Sequence, residues 1–382
     1  MIIVSQGNAG IAAMPGGQAL LDVWRAGRIS GRELEERLKA IRIAHLLRQQ
    51  EAGVDWIPVG DITPGDRMRE HASAFGLAPE RPAEAGAGAC AKTDAEPRLV
   101  RNPWAGAFRE ARAHLKALPV PVMIGPYTFA KRLEAEAGAE SRPGGFDAGD
   151  LLMRLTPAYA EALRGIGEAG AEWVQLEEPE LARPVAPADW PLIGLAYRML
   201  RDAAPKLRLM LQLAGSVPDD LSRLHALPVA GIGLDFTPDG GRALAAVAKH
   251  GFPEDRVLGA GIIDGRRIWR SDLRAACALL EDLRRLAPRV RLALQPSCSL
   301  SHAPAAFPDG LAPRGLPAYA LATADVKLGE LRVLRAALAE GPEAVRLDLA
   351  DSDVLQEMLR ALLPVPPLHA ASLAKATAAR PA

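Results

Sequence analysis

Eight short apolar runs recur along the 382-residue chain, nearly all separated by stretches with helical spacing. They lie at residues 2–5, 54–60, 120–124, 171–177, 207–213, 231–235, 257–263 and 290–295. Strand–helix alternation of this kind implies a parallel sheet, and eight units imply that the sheet closes on itself. The expected fold is therefore α/β, a single (β/α)8 TIM barrel. An open doubly wound sheet is the alternative. Against it, no Gly-x-Gly-x-x-Gly follows the first run, and polar strand ends are spread over the whole chain rather than gathered at one switch point.

The fourth run is the most informative. It reads Ala-Glu-Trp-Val-Gln-Leu-Glu-Glu-Pro from residue 171, a short apolar strand ending in two acids and a proline. Alternation along a strand puts Val174 and Leu176 on one face and Gln175 and Glu177 on the other. Helices cover the apolar face of a barrel strand, so Gln175 and Glu177 are expected to point into an enclosed polar interior.

Helical spacing fills residues 18–51, with a break near 27–31 where Ser30 can cap the second segment; Leu34, Leu38, Ile41 and His45 recur on one face. Further helices are expected at 64–75, 104–118, 151–169, 190–203, 219–226, 240–249, 271–286 and 319–339. Residues 78–96 and 137–149 read as two long loops, with Cys90 incidental to the first. An additional amphipathic helix is expected at 351–363, and 364–382 reads as a frayed tail. The division is thus a barrel over residues 1–345 and a C-terminal helix with a flexible tail over 346–382.

Lys+Arg equals Asp+Glu, so the formal net charge is +0, and no general attraction to nucleic acid or anionic lipid follows. No window approaches about 18 uninterrupted apolar residues, so no membrane span is expected. Residues 1–14 lack a basic start and are interrupted by Gln6 and Asn8, which reads as a first strand and not a signal peptide. Cys90, Cys277 and Cys298 are odd in number and far apart, which suits reduced thiols in the cytoplasm.

The working face of such a barrel is the C-terminal end of its strands. Those ends supply Asp61, Gly125, Glu177, Gln212, Asp235, Asp264 and Gln295, and just beyond them stand Glu178, Arg266, Arg267, Trp269, Cys298 and His302. The set suits a polar small molecule carrying both signs of charge. Asp61, Asp264 and Glu178 have a plainer reading as caps of the helices that follow. Arg266, Arg267 and Asp272 have one as a rim ion pair, His225 and His250 as structural residues of helix tails, and Cys277 as core. Glu177 and Asp235 are harder to dismiss, because an inward carboxylate needs a partner, a ligand or a proton. Together with Cys298, which Pro296–Ser299 could place at a helix N-terminus, they are the candidates for catalysis. Zinc needs about four Cys, His or carboxylate ligands. The mouth offers Cys298, Asp235, Glu177 and His302, with no Cys-x-x-Cys or His-x-Cys pair, so zinc held by this chain alone is not expected.

Several stretches resemble the amino-terminal barrel of cobalamin-independent methionine synthase. They are residues 49–61 (ending Trp-Ile-Pro-Val-Gly-Asp), Ile124-Gly125-Pro126-Tyr127-Thr128-Phe129, 172–181, 259–273 and 295–304 (Gln-Pro-Ser-Cys-Ser-Leu-Ser-His-Ala-Pro). The resemblance covers about residues 15–340, with its segments in the same order. It implies half of a two-barrel protein whose other barrel holds zinc and passes a methyl group from 5-methyltetrahydrofolate polyglutamate to the thiolate of homocysteine. The zinc ligands of that second barrel fall on Gln212, Ala214, Asp235 and Cys298 here, so only Asp235 and Cys298 survive, at vestigial positions. The family's Arg-Glu-Leu-Lys run, which touches the folate tail, falls near Met14-Pro15-Gly16-Gly17 and has lost both cations. The family's Ile-Asp-Glu-Pro appears as Leu176-Glu177-Glu178-Pro179. By the same resemblance Asp61, Glu178, Asp264, Arg267 and Trp269 are the residues expected to contact the folate.

Three functions are compatible with these residues. The chain is the folate-side half of a split methionine synthase that needs a zinc-bearing partner barrel, or a stand-alone single-barrel thiol methyltransferase with another donor, or a non-catalytic small-molecule-binding barrel. The first requires a complex, the second activity from the chain alone, and the third neither.

Overall fold

The structure, a computed structural model, describes residues 1–8, 14–78, 95–137, 147–215, 217–218, 220–237, 242–300, 303 and 320–362. Its eight strands are β1 (Ile2–Ile3), β2 (Trp56–Val59), β3 (Leu118–Ile124), β4 (Trp173–Glu177), β5 (Arg208–Gln212), β6 (Gly231–Asp235), β7 (Val257–Ile263) and β8 (Arg291–Pro296). All pair in parallel in the order β1-β8-β7-β6-β5-β4-β3-β2. The remaining seam closes through a parallel bridge between Val4 and Trp56, supported by Ser5 N–H to the Trp56 carbonyl (3.1 Å) and Asp55 N–H to the Ile3 carbonyl (2.9 Å). The ring is the barrel expected from the alternation.

Inside the ring the side chains stack in layers. At the N-terminal end Val4, Trp56, Val120, Trp173, Met210, Val257 and Ala293 form an apolar plug, with the two indoles 4.5 Å apart. The next layer is polar. Gln175 donates to the Ser5 carbonyl (3.1 Å), and Gln212 and Gln295 exchange amide hydrogen bonds at 3.0 and 3.2 Å. A Cβ on Gly233 would collide with the Gln212 amide, so the missing side chain there is what gives this layer its room. The opposite face of each strand, Val174 and Leu176 among them, belongs to the large core shared with the helices.

The outer helices are α1 (Gly17–Arg25), α2 (Gly31–Glu51), α3 (Arg67–Ala74), α4 (Pro103–Arg112), α5 (Pro126–Ala137), α6 (Ala148–Glu168), α7 (Asp189–Ala203), α8 (Ser222–His225), α9 (Arg242–His250), α10 (Leu273–Leu286), α11 (Ala324–Glu340) and α12 (Arg346–Leu362). Five of the starts are capped by side chains: Ser30 accepts from Glu33 N–H, Asp66 from Arg69, Asn102 from Ala105, Asp272 from Ala275 and Thr323 from Val326.

Some expectations need correction. The helix expected at 104–118 stops at Arg112, because Lys116 and Ala117 donate to the Gln50 carboxamide and Leu118 already pairs in β3. The helix expected at 219–226 is the single turn α8, α11 starts at Ala324 rather than 319, and α12 starts at Arg346 rather than 351. Residues Pro126–Ala137, for which no helix is expected above, form α5. Most of both expected long loops, Cys90, His302 and the tail from 363 lie outside the described residues. The helix α12 is joined to the barrel through a 3-10 turn, Pro342–Val345, and packs Leu355 and Leu359 against Trp269 and Leu321. No helix among the described residues is long and apolar enough to cross a membrane.

Candidate functional site at the barrel mouth

Register carries the strand ends to one rim. Glu177 lies beside Gln212 on β5, Gln212 beside Gly233, Asp235 beside Gly261, and Gly261 beside Gln295. Trp173, Gln175 and Glu177 alternate inward, as expected, and the rim holds two polar networks.

The first joins β1, β2 and β4. Glu177 is paired with Arg67, the first residue of α3, at 2.9 Å from Oε2 to Nη1. Burial pushes the Glu177 carboxyl above its ordinary value and Arg67 pulls it back. Burial also opposes the charge on Arg67, but Glu177 and Asp61 outweigh it and hold the guanidinium above its usual range. Asp61, 1% exposed, accepts from the Asn8 backbone N–H and, at 2.8 Å, from its amide; Asn8 Oδ1 in turn takes Gln49 Nε2 at 2.7 Å and faces His45 Nε2 at 2.9 Å. Gly7 carries the chain over this network with φ +45°, and a Cβ there would stand 2.7 Å from Glu177 Oε1.

The second network joins β6, β7 and β8. Asp235, fully buried, accepts from Thr237 N–H (2.9 Å) and Oγ1 (2.7 Å), from Gly215 N–H (3.0 Å) and from Arg266 Nη2 (2.9 Å). Asp264 faces Arg267 Nε at 3.1 Å and accepts from the Arg266 backbone N–H at 2.9 Å. Burial lowers Arg267 to about 10. Lys327 of α11, fully buried, holds this loop from below by donating to the carbonyls of Asp264 (2.7 Å) and Trp269 (3.1 Å). Cys298 stands against Gly265, and burial pushes its thiol up to about 11.

Thus Asp61, Glu177, Gln212, Asp235, Asp264, Arg266, Arg267, Gln295 and Cys298 come together. Glu178 and Trp269 do not. Alternation turns Glu178 outward, where it accepts from Tyr127 N–H (3.0 Å) and Thr128 N–H (2.6 Å) at the start of α5 and from Tyr197 Oη (3.0 Å). Burial pushes it up to about 7 against the pull of those donors. Trp269 packs under α12. The caps of α3 and α10 are Asp66 and Asp272, so Asp61 and Asp264 are not the caps that the plainer reading made them. The residues that sequence reasoning missed are Asn8, Arg67 and Lys327. For Arg67 there was a signal: an inward acid at 177 demanded a cation, and Arg67 follows Asp61 by six positions.

The zinc positions of the related barrel do not fit a zinc ion here. Both oxygens of Asp235 are taken by protein donors, Gln212 is tied to Gln295 and Gln175, and Ala214 supplies no ligand atom. Among the described residues no group of three or more His, Cys, Asp or Glu is placed to hold a metal.

Comparison with known proteins places this geometry in a family. Proteins named 5-methyltetrahydropteroyltriglutamate–homocysteine methyltransferase from Listeria welshimeri, Halalkalibacterium halodurans and Parvibaculum lavamentivorans are 34%, 35% and 35% identical over 88%, 86% and 90% of this chain. The aligned part is 47%, 46% and 48% of those relatives, so the chain spans about half their length. Two solved structures share the fold. A methyltransferase from Methanosarcina mazei superposes with TM-score 0.56 at 15% identity, over 88% of this chain and 94% of that one. A B12-independent methionine synthase from Shewanella sp. W3-18-1 does so with TM-score 0.53 at 13% identity, over 85% and 92%. Residues 18–93 and 90–288 match the model of the cobalamin-independent synthase N-terminal domain, and the chain belongs to that family.

Proposed function

We propose that this chain is the folate-side barrel of a methyl transfer from 5-methyltetrahydrofolate polyglutamate to homocysteine, completed by a separate zinc-bearing barrel. The observation that carries this reading is the match to the N-terminal domain of proteins named for that reaction, over about half their length. The donor set at the mouth supports it from the other side, since Asp235 is saturated with hydrogen bonds and the Cys298 thiol is held protonated. In this reading Asp61, Asp264 and Arg267 contact the folate, and Glu177, Asp235 and Cys298 shape the pocket in which the reacting groups meet. Glu178 and Trp269 act through the scaffold, by fixing α5 and α12. Residues 1–345 form the barrel unit and 346–382 an appendage to it, and reduced Cys277 and Cys298 suit the cytoplasm.

A test is gel filtration of the chain with a separately expressed zinc-bearing barrel of a two-barrel relative. Co-elution as a one-to-one complex is expected, and independent elution at every concentration up to about 100 μM would count against it. A second reading, a stand-alone methyltransferase using another donor, draws support from the solved chains of single-barrel length, which this chain covers almost entirely. It requires thiol methylation by the chain with no partner present.

A further inference from the structure

A cleft of about 1150 Å³ lies between α10 and α11. Ile2, Val257 and Arg291, the first residues of β1, β7 and β8, line it, so it opens at the end of the barrel away from the mouth. On α11 it runs from Val326 to Glu340, about 21 Å of helix. Small-molecule pockets commonly measure about 300–1,000 Å³, so there is room for a sizeable ligand. Half-buried Val326, Val333 and Ala336 make the α11 wall apolar, and Leu292 continues it on β8.

Two features point to an occupant. Gly329 lies inside α11, where a glycine weakens the helix. A Cβ there would meet nothing within 4 Å beyond its own helix, so no packing neighbour demands the missing side chain. What the glycine widens is the cleft, which it lines. The second feature is charge. Arg270 and Arg335 in the lining are engaged, at 3.5 Å from Glu330 and 2.9 Å from Asp55. Arg284 of α10, Arg291 of β8 and Arg332 of α11 also line the cleft, are exposed, and form no ion pair with any described residue. Two exposed acids of the lining, Glu340 and Asp348, flank the Pro342–Val345 turn and so mark the end where α11 passes to α12. An accessible guanidinium offers a charge-assisted fork to a carboxylate or a phosphate.

We propose that the cleft between α10 and α11 binds an amphipathic oxyanion, a small molecule whose apolar body lies along α11 beside Gly329 and whose carboxylate or phosphate head is taken by the arginines. Burial of the body against the aliphatic wall supplies affinity, and the arginines select the charge. The site is remote from the mouth and does not depend on the methyl-transfer reading.

The experiment is calorimetric titration of the whole chain with octanoate, octyl phosphate, n-octanol, butyrate and inorganic phosphate. It is repeated on Gly329→Leu and on the triple variant Arg284→Gln, Arg291→Gln, Arg332→Gln. At least one of the two amphipathic anions is expected to bind the wild type with Kd below about 1 mM. n-Octanol, which lacks the charge, and butyrate and phosphate, which lack the body, are expected to bind at least about 10-fold more weakly. The preferred anion identifies the head as carboxylate or phosphate. Gly329→Leu sends a side chain into the cleft and should remove binding while leaving the melting temperature unchanged or higher. The triple variant should weaken the anions about 10-fold or more and leave n-octanol unchanged. The proposal is overturned if neither amphipathic anion binds, if n-octanol binds as tightly as both, or if either variant, when folded, binds the anions like the wild type. Because the comparison of charged and neutral probes uses only wild-type protein, it decides the matter even if a variant does not fold.

Discussion

Nη1 of Arg67 stands 2.9 Å from Oε2 of Glu177, and this pair ties the first turn of α3 to the end of β4. Breaking a fully buried pair by removing one charge costs about 3–5 kcal/mol; here 25% of the Arg67 side chain and 21% of the Glu177 side chain reach solvent, so about 2–3 kcal/mol is expected for Glu177→Gln. The variant should unfold at lower urea with an unchanged slope. Removing both charges, in Arg67→Met with Glu177→Gln, should recover part of that loss, because no charge is then left unpaired. A double variant as unstable as the sum of the single ones would show that the pair is not a unit.

His71 makes stability depend on pH. Its ring is buried between α3 and β3, with Nε2 accepting from Ile124 N–H at 2.9 Å and Nδ1 facing the Arg67 carbonyl at 3.1 Å, and burial lowers it to about 3. The unfolded chain then binds a proton that the folded chain refuses between pH 6.5 and about 3. Stability should fall as pH drops through that window, by up to about 1.4 kcal/mol per unit from this group. His71→Gln, whose carbonyl can still accept from Ile124, should flatten that part of the profile; an unchanged profile would contradict the assignment.

Glu178 works in the opposite direction. Its carboxyl, raised from 4.5 to about 7 by burial, binds a proton in the folded state that the unfolded chain has lost, so its contribution falls as pH rises from 4.5 to about 7. The loss is at most about 3 kcal/mol. Glu178→Gln should be more favourable, relative to wild type, at pH 8 than at pH 5, measured by urea midpoints. A variant equally damaging at both would mean that the carboxylate is ionised throughout and that its hydrogen bonds outweigh its burial.

Cys298 should be a poor nucleophile. With its thiol near 11, alkylation by iodoacetamide at pH 8 is expected to be on the order of 100-fold slower than for an ordinary free thiol. Stoichiometric modification at the normal rate, assigned by mass spectrometry, would contradict the buried placement.

The fold was largely legible because apolar runs and period changes are local signals. The strands at 231–235 and 257–263 have the boundaries read from sequence, and Ser30 caps α2 as expected. The helix α5 was not legible in the same way. Proline suits the first turn of a helix, but the carboxylate that satisfies this one arrives from Glu178, some fifty positions later. At the mouth, Glu177 followed from alternation. Applied one residue further, the same rule turns Glu178 outward; position next to a strand end was the weaker guide. Trp269 misled for a related reason, since the helix that covers it, α12, lies 77 or more residues downstream. The pairing of Arg67 with Glu177 spans 110 residues and depends on closure of the ring, which no local pattern encodes.

The most direct test of the central claim is methionine formation from homocysteine and 5-methyltetrahydrofolate triglutamate by the chain, by a zinc-bearing barrel, and by both together. The account predicts turnover in the mixture only. Turnover by the chain alone, or a mixture no faster than the zinc barrel by itself, would contradict it.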